Sequence, residues 1–178
     1  KKEAVLQLDN YQANEFVKKS SDTLGKQLSL PAVELFEKRF SEVLVINSND
    51  KWSNIWRNAI EDHKQNSSYD DANHIVLKLF RDSLLGYYES HRTEESKTKL
   101  IDILNSDYET IKRIGIYVAG EHFEYLDDAS IGLILSTSHF NDKFRHELWH
   151  FLNKNFAQLS KAQQTSVIES ISTLEVSD

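Results

Sequence analysis

The sequence contains no cysteine and no methionine, and it has only 1 proline and 5 glycines among its 178 residues. Without cysteine, a disulfide framework and thiolate metal sites are excluded. Turn-forming residues are also too scarce for an all-β sandwich or barrel, which needs a turn about every ten residues. Position 1 is lysine rather than methionine, so we expect the chain to be a piece of a longer protein.

Long apolar runs and a surplus of positive charge are missing as well. The longest stretch without a polar residue or glycine, residues 43–46, is too short to cross a bilayer, so no membrane association is expected. The 28 Asp and Glu residues outnumber the 21 Lys and Arg residues, which gives a net charge of -7. Nucleic-acid-binding modules usually carry a basic surplus, so no nucleic-acid partner is expected. No signal-peptide pattern is present, and cytoplasmic localisation is the default expectation.

What the sequence does contain is helical periodicity along most of its length. A helix is predicted to start at Pro31 and to carry apolar residues up to Leu44, and another is predicted from an Asp50 cap through Ile60. A weaker helical pattern covers residues 5–17. The clearest apolar stripe consists of Ala72, Ile75, Val76, Leu79, Phe80, Leu84 and Tyr87.

Capping residues predict four further helix starts. Thr93 starts a short helix, Asp142 caps a helix that continues through Phe156, and two capping boxes are formed by Ser106 with Glu109 and by Ser160 with Gln163.

Two segments, 114–118 and 131–135, are rich in β-branched residues and could form strands, but their flanks favour helix. The total is about nine helices joined by short polar links.

Short links make neighbouring helices antiparallel, and hairpins of about 30–40 residues recur, which is the length class of α-solenoid repeats. The hairpins cover residues 50–88, 93–123 and 127–156. The predicted fold is therefore all-α, with antiparallel helical hairpins stacked as an α-solenoid (HEAT/TPR-like) segment. Residues 1–49 form unassigned N-terminal helices, and residues 50–178 form the helical-repeat domain.

One motif carries possible chemistry: His146-Glu147-Leu148-Trp149-His150 has the H-E-x-x-H pattern of zinc metallopeptidases. On a helix, both histidines can bind one Zn²⁺, and Glu147 can act as general base towards the metal-bound water. Glu169 is the candidate third ligand, because its spacing suits thermolysin-like enzymes.

Helical-wheel geometry argues against that zinc site. At about 100° per residue, His146 and His150 lie nearly opposite the apolar stripe around Leu148. Glu169 likewise points away from the apolar stripe of its own helix. If the two helices pack through their stripes, one zinc ion cannot reach all three side chains. The favoured interpretation is that Trp149, Phe151 and Phe156 are packing aromatics, whereas the histidines lie on a polar face.

A second polar group lies near Arg57. Arg57 and Glu61 are spaced i, i+4 and predict an ion pair, and Asp62 and His63 follow directly. A structural polar network is favoured here over an active site.

Several stretches together resemble a known family. They are WRNAIEDHKQN at residues 56–66, FRD at 80–82, RIGIYV at 113–118 and HELWHFL at 146–152, with Phe156, Leu159, Gln164 and Ile168 downstream. In this order the pattern is similar to the helical-repeat region of very large bacterial multidomain ATPases of the STAND/NACHT type, many of them antiphage defence proteins. The resemblance covers about residues 50–175.

This resemblance implies an α-solenoid arm that recognises a protein ligand or a neighbouring domain. It also implies that the His-Glu-x-x-His stretch lies within a repeat helix, and that nucleotide chemistry belongs to another part of the parent chain. We therefore expect a non-enzymatic sensor or scaffold module without a cofactor, and any oligomer would form through its parent protein. Two alternatives stay open: a zinc metallopeptidase that uses His146, His150, Glu169 and Glu147, and a helical oligomerisation domain without a ligand.

Overall fold

The computed structural model describes residues 3–62 and 71–173, and all regular structure in these two ranges is helical. The predicted all-α fold is therefore confirmed, and the strand alternative for residues 114–118 and 131–135 is wrong. No helix in the two ranges is long and apolar enough to cross a membrane. The α-helices are α1 Asn10–Asn47, α2 Ser53–Trp56, α3 Ala72–Ser90, α4 Glu94–Leu104, α5 Glu109–Glu121, α6 Asp128–Ile134, α7 Arg145–Asn155 and α8 Lys161–Ser172.

The first helix, α1, consists of two helical segments that meet at Ser29. The backbone of Ser29 has φ 57° and ψ -145°, outside the helical region. Pro31 follows in the first turn of the second segment, where its missing N–H costs nothing, as the sequence predicts. The Ser29 Oγ lies 2.7 Å from Nε2 of His91, the C-cap residue of α3. Because α1 begins at Asn10, only the later part of the weak pattern at residues 5–17 is helical.

Two glycines let α1 pack closely along α3. A Cβ atom on Gly25 would lie 1.9 Å from the carbonyl oxygen of Ser83, and one on Gly86 would lie 2.2 Å from the carbonyl oxygen of Asp22. Since no side chain fits at either distance, the two backbones require glycine at these points. The Ser83 hydroxyl also donates to the Ser21 carbonyl oxygen, at 2.9 Å.

A continuous apolar core joins the second segment of α1 to the C-terminal helices, from Val33 to Val167. Within it, α5 packs against α3, α4 and α7, and α4 also contacts α6. A second, smaller cluster of Ala13, Val17 and Ile75 lies between the first segment of α1 and α3.

Two of the predicted helix starts are confirmed. Thr93 caps α4 in a capping box with Ser96, and Ser160 caps α8 in a capping box with Gln163. Each of these caps has both partners within one helical turn.

The other three predicted caps are wrong. The Asp50 carboxylate accepts hydrogen bonds from the backbone N–H groups of Glu109 at 2.8 Å and of Thr110 at 2.9 Å, so Asp50 caps α5 instead of its own helix. This arrangement leaves no capping role there for Ser106. At α7 no side chain caps the N-terminus, and Asp142 instead pairs with Arg145.

Candidate functional site

Residues from four stretches of the sequence, at 56–62, 80–82, 113–118 and 146–152, meet at the loop at residues 57–62. Three buried arginines surround this loop: Arg57 within it, Arg81 on α3 and Arg113 on α5. A buried carboxylate, Glu147 on α7, completes the group, which we call the arginine cluster. His63 and the rest of residues 63–66 of the matched stretch fall outside the described residues.

Arg113 and Glu147 form a bidentate ion pair in the core. Arg113 Nε donates to Glu147 Oε2 and Arg113 Nη2 donates to Oε1, both at 2.8 Å, and each side chain is 1% exposed. Glu147 Oε1 also accepts from the backbone N–H of Ile60 at 3.1 Å, and Arg113 Nη2 donates to the carbonyl oxygen of Arg57 at 2.9 Å. The pair therefore joins α5, α7 and the 57–62 loop.

Arg81 and Arg57 also donate hydrogen bonds to the loop at residues 57–62. Arg81 Nη1 donates to the carbonyl oxygen of Ile60 at 2.7 Å and to Asp62 Oδ1 at 3.0 Å. Arg57 Nη2 donates to the carbonyl oxygens of Ile60 and Glu61, both at 3.2 Å. Burial lowers the pKa of Arg57 to about 10.

These contacts correct two predictions and bear on a third. The helix predicted through Ile60 ends at Trp56, because arginine side chains bind the backbone groups that a longer helix would have used. The predicted Arg57–Glu61 ion pair is wrong: the guanidinium meets the Glu61 carbonyl oxygen, and its nearest carboxylate is that of Asp62 at 3.8 Å. The predicted polar network is present, and its interpretation as a structural network rather than an active site stays a prediction.

The two histidines of the H-E-x-x-H motif lie beside one carboxylate, that of Glu61. His146 Nε2 is 3.4 Å from Glu61 Oε1, and His150 Nδ1 is 3.6 Å from Glu61 Oε2. On its other side, His150 Nε2 is 3.6 Å from Glu121 Oε1, and Lys154 pairs with Glu121 at 3.0 Å. The histidines lie outside the apolar core and are part of a half-buried polar group, as the helical wheel predicts.

The remaining members of the predicted zinc site lie elsewhere. Glu147 turns inward to Arg113 and Ile60, whereas Glu169 is exposed on α8, and Glu61 is the carboxylate beside the histidines. Across residues 3–62 and 71–173, no group of three or more His, Asp or Glu side chains has an arrangement that could hold a metal ion. The ligand set His146, His150 and Glu169 stays a prediction.

Trp149 is 59% exposed, so the prediction that it is a packing aromatic is wrong. It lies at a pocket of about 590 Å³ between α2 and the start of α7, which we call the α7 pocket. Cationic and amide side chains predominate in its lining, which consists of Asn54, Asn58, Arg113, Asp142, Lys143, Arg145, His146 and Trp149. Phe151 is buried and Phe156 packs against the core, as predicted.

A second cavity, of about 390 Å³, lies among α3, α4 and α5. Tyr88, Leu100 and Val118 line it together with His122, and burial lowers the pKa of His122. The Arg92 guanidinium covers the ring of Tyr125 nearby, 3.6 Å from its centre. The positive and negative side chains around this cavity balance, so its charge favours no particular ligand.

Arg81 and Arg113 were not predicted to be site residues. They appeared only as members of the FRD and RIGIYV stretches. One signal was present: the apolar residues Ile111, Ile114 and Val118 predict that much of α5 is buried, and an arginine buried there must find a partner in the core. The partner itself, Glu147, had no signal that separated it from a catalytic glutamate.

Comparison with known proteins adds no relative: no family model, no curated protein and no solved structure matches the chain.

Proposed function

We propose that the chain is a non-enzymatic helical-repeat module that recognises a protein partner, as a sensor or scaffold segment of a larger protein. The observation that carries the proposal is the exposed Trp149 at the rim of the α7 pocket. A second apolar side chain, that of Ile55 on α2, is 66% exposed and follows Asn54, which lines the same pocket. Exposed aromatic and aliphatic side chains around a polar pocket are typical of protein-binding surfaces.

The arginine cluster supports this proposal because it fixes the elements on both sides of the pocket. Arg113 and Glu147 tie α7, which carries Trp149, to the loop that follows α2. A surface that is ordered before binding loses less entropy on association. Because most of the cluster hydrogen bonds are internal, they position the elements that carry the binding surface.

A stacked-hairpin architecture is part of the proposal. Support comes from the packing of α4 against α5 and of α5 against α7, which brings helices near in sequence together. The resemblance to the repeat region of STAND/NACHT-type ATPases points the same way, since its matched stretches supply all members of the arginine cluster. Under this proposal, nucleotide chemistry and any antiphage effector act elsewhere in the parent chain.

The test compares capture of binding proteins by the wild type, by Trp149→Ala and by Leu35→Ala. Leu35 is the matched control, because it is also an exposed apolar residue, at 48%, but lies on α1. We expect a protein that binds the wild type and Leu35→Ala and is lost with Trp149→Ala; its dissociation constant is then measured with purified components. Equal capture by all three proteins would contradict the proposal.

The zinc-peptidase alternative has its own test. Metal analysis of chelator-free protein, with His146→Ala beside the wild type, is expected to find no bound zinc in either. Stoichiometric zinc that disappears in the variant would favour the alternative instead.

A further inference from the structure

We propose that the α7 pocket binds a carboxylate of an acidic segment of the protein partner, next to an apolar side chain that packs on Trp149. This inference rests on the proposed function and specifies the chemistry of the partner. It is carried by a buried donor without an acceptor, by the charges of the pocket and by the uncapped start of α7.

The buried donor is Arg113 Nη1. Its side chain is 1% exposed, and Nε and Nη2 are taken by Glu147 and by loop carbonyl oxygens. Nη1 has no hydrogen-bond partner in the described part of the chain, although Arg113 lines the α7 pocket. A buried guanidinium N–H without an acceptor is costly, and an oxyanion in the pocket would supply the acceptor.

Three of the residues that line the pocket are cations: Arg113, Lys143 and Arg145. Each is paired with a carboxylate, but only Arg113 is paired in the core, with Glu147, whereas the other two pairs are reached by water. Arg145 and Asp142 pair at 3.1 Å but are 78% and 82% exposed, so water screens the pair and an incoming carboxylate can replace Asp142. Lys143 pairs with Glu109, which does not line the pocket.

The N-terminus of α7 adds the partial positive charge of the helix dipole to the pocket. Arg145 and His146, in the first turn of this eleven-residue helix, both line the pocket, and no side chain caps the helix. The positive end of the helix dipole therefore lies at the pocket and favours an oxyanion there.

A protein carboxylate fits these features better than a polyanion does. The net charge of the whole chain is -7, which repels nucleic acid and anionic membranes, whereas the pocket offers a local positive site for one anionic group. Trp149, which lines the pocket and is largely exposed, provides apolar contact for a residue that flanks such a carboxylate.

The probe is the blocked peptide acetyl-Ala-Leu-Asp-Leu-Ala-amide, titrated into ¹⁵N-labelled protein, with the peptide containing Asn in place of Asp as its uncharged counterpart. We expect the Asp peptide to shift the amide resonances of Arg145 and His146, the indole N–H of Trp149 and the Nε–H of Arg113. The Asn peptide should bind about fivefold more weakly.

Arg145→Ala tests the pocket, and Arg39→Ala is its matched control. Arg39 is also an exposed arginine in an i, i+3 pair, with Glu42, but lies on α1. Arg145→Ala should weaken binding of the Asp peptide by about fivefold, whereas Arg39→Ala should leave it unchanged. Because both residues are exposed, neither variant removes a buried contact.

Three outcomes would overturn the inference: equal binding of the Asp and Asn peptides, equal effects of the two arginine variants, or shifts caused by inorganic phosphate but not by the Asp peptide. Failure of the carboxylate inference can be distinguished from failure of the proposed function. If Trp149-dependent capture of a protein persists while the Asp peptide does not bind, only the carboxylate inference is lost.

Discussion

The role of each residue in the H-E-x-x-H motif depends on which side of α7 is buried. The ion pair of Glu147 with Arg113 shows this dependence. His146 and His150 share one face, whereas Glu147 lies about 100° further round the helix and can point in a different direction. In this protein Glu147 points into the core and pairs with Arg113, and the histidines lie beside Glu61. The sequence specifies the spacing of the motif, but only tertiary contacts decide which member is buried.

Replacing Glu147 by Ala is expected to destabilise the fold by about 3–5 kcal/mol, because it leaves the Arg113 guanidinium buried without its counter-charge. Glu169→Ala is the matched control, since Glu169 is exposed on α8, and its effect should stay within about 0.5 kcal/mol. Urea unfolding followed by circular dichroism measures both. Equal midpoints for the two variants would contradict a structural role for Glu147.

The free energy of unfolding is expected to depend on pH through His139. This residue is buried near Phe144, and its Nδ1 lies 3.1 Å from the carbonyl oxygen of Ile134. Burial lowers the pKa of His139 below its ordinary value of 6.5, with the Lys112 charge acting in the same direction. The unfolded chain then binds a proton that the folded chain excludes, so the free energy of unfolding should decrease as the pH falls from about 7 to about 5. Burial lowers the pKa of His122 as well, so both histidines contribute.

The measurement is denaturant unfolding at both pH values, for the wild type and for His139→Gln. The variant should lose less of its free energy of unfolding on acidification than the wild type does. An identical loss would show that His139 does not contribute.

For single helices, a feature was predictable when the residues that form it lie close together in the sequence. The capping boxes of Thr93 and Ser160 are complete within one turn, and both were predictable. The cap of α5 comes from Asp50, 59 residues before Glu109, and nothing in the local sequence indicates it. The helix predicted through Ile60 failed for the same reason, because Arg81 and Glu147 bind its backbone groups from distant positions.

Gly→Ala substitutions are expected to have opposite effects at Gly86, in the contact of α1 with α3, and at Gly132, away from it. Gly86→Ala places a Cβ atom 2.2 Å from the Asp22 carbonyl oxygen, so the helices must separate, at a cost of about 3 kcal/mol. Gly132→Ala is the control: no atom lies within 4 Å of its Cβ position in α6, and alanine should stabilise that helix by about 0.5–1 kcal/mol. Thermal unfolding measures both, and a neutral Gly86→Ala would contradict the close approach.

At the scale of the whole molecule, the all-α class was predictable, because apolar periodicity is a local property, whereas helix partners were not. Residues 1–49 had no assigned role, yet α1 packs along α3, and its second segment belongs to the main core. Its first segment packs instead in the small cluster of Ala13, Val17 and Ile75. The two segments of α1 therefore have different amounts of apolar support.

Hydrogen exchange should reveal this difference. Backbone amides of residues 13–21 are expected to exchange roughly tenfold faster than those of residues 33–44, because fewer buried apolar contacts hold the first segment. Native-state exchange followed by mass spectrometry resolves the two segments. Equal protection would mean that α1 opens as one unit in spite of Ser29.

The hydrogen bond from the Ile60 backbone to Glu147 spans 87 residues, and this has a consequence for synthesis on the ribosome. Translation supplies Asp50 well before Glu109, so the side chain that caps α5 is already present when α5 forms. Glu147 is translated after Arg113, and the loop at residues 57–62 cannot be completed until α7 has been made. A nascent chain that stops before α7 would hold an unpaired Arg113 and an open loop, which is the kind of intermediate that chaperones and proteases engage.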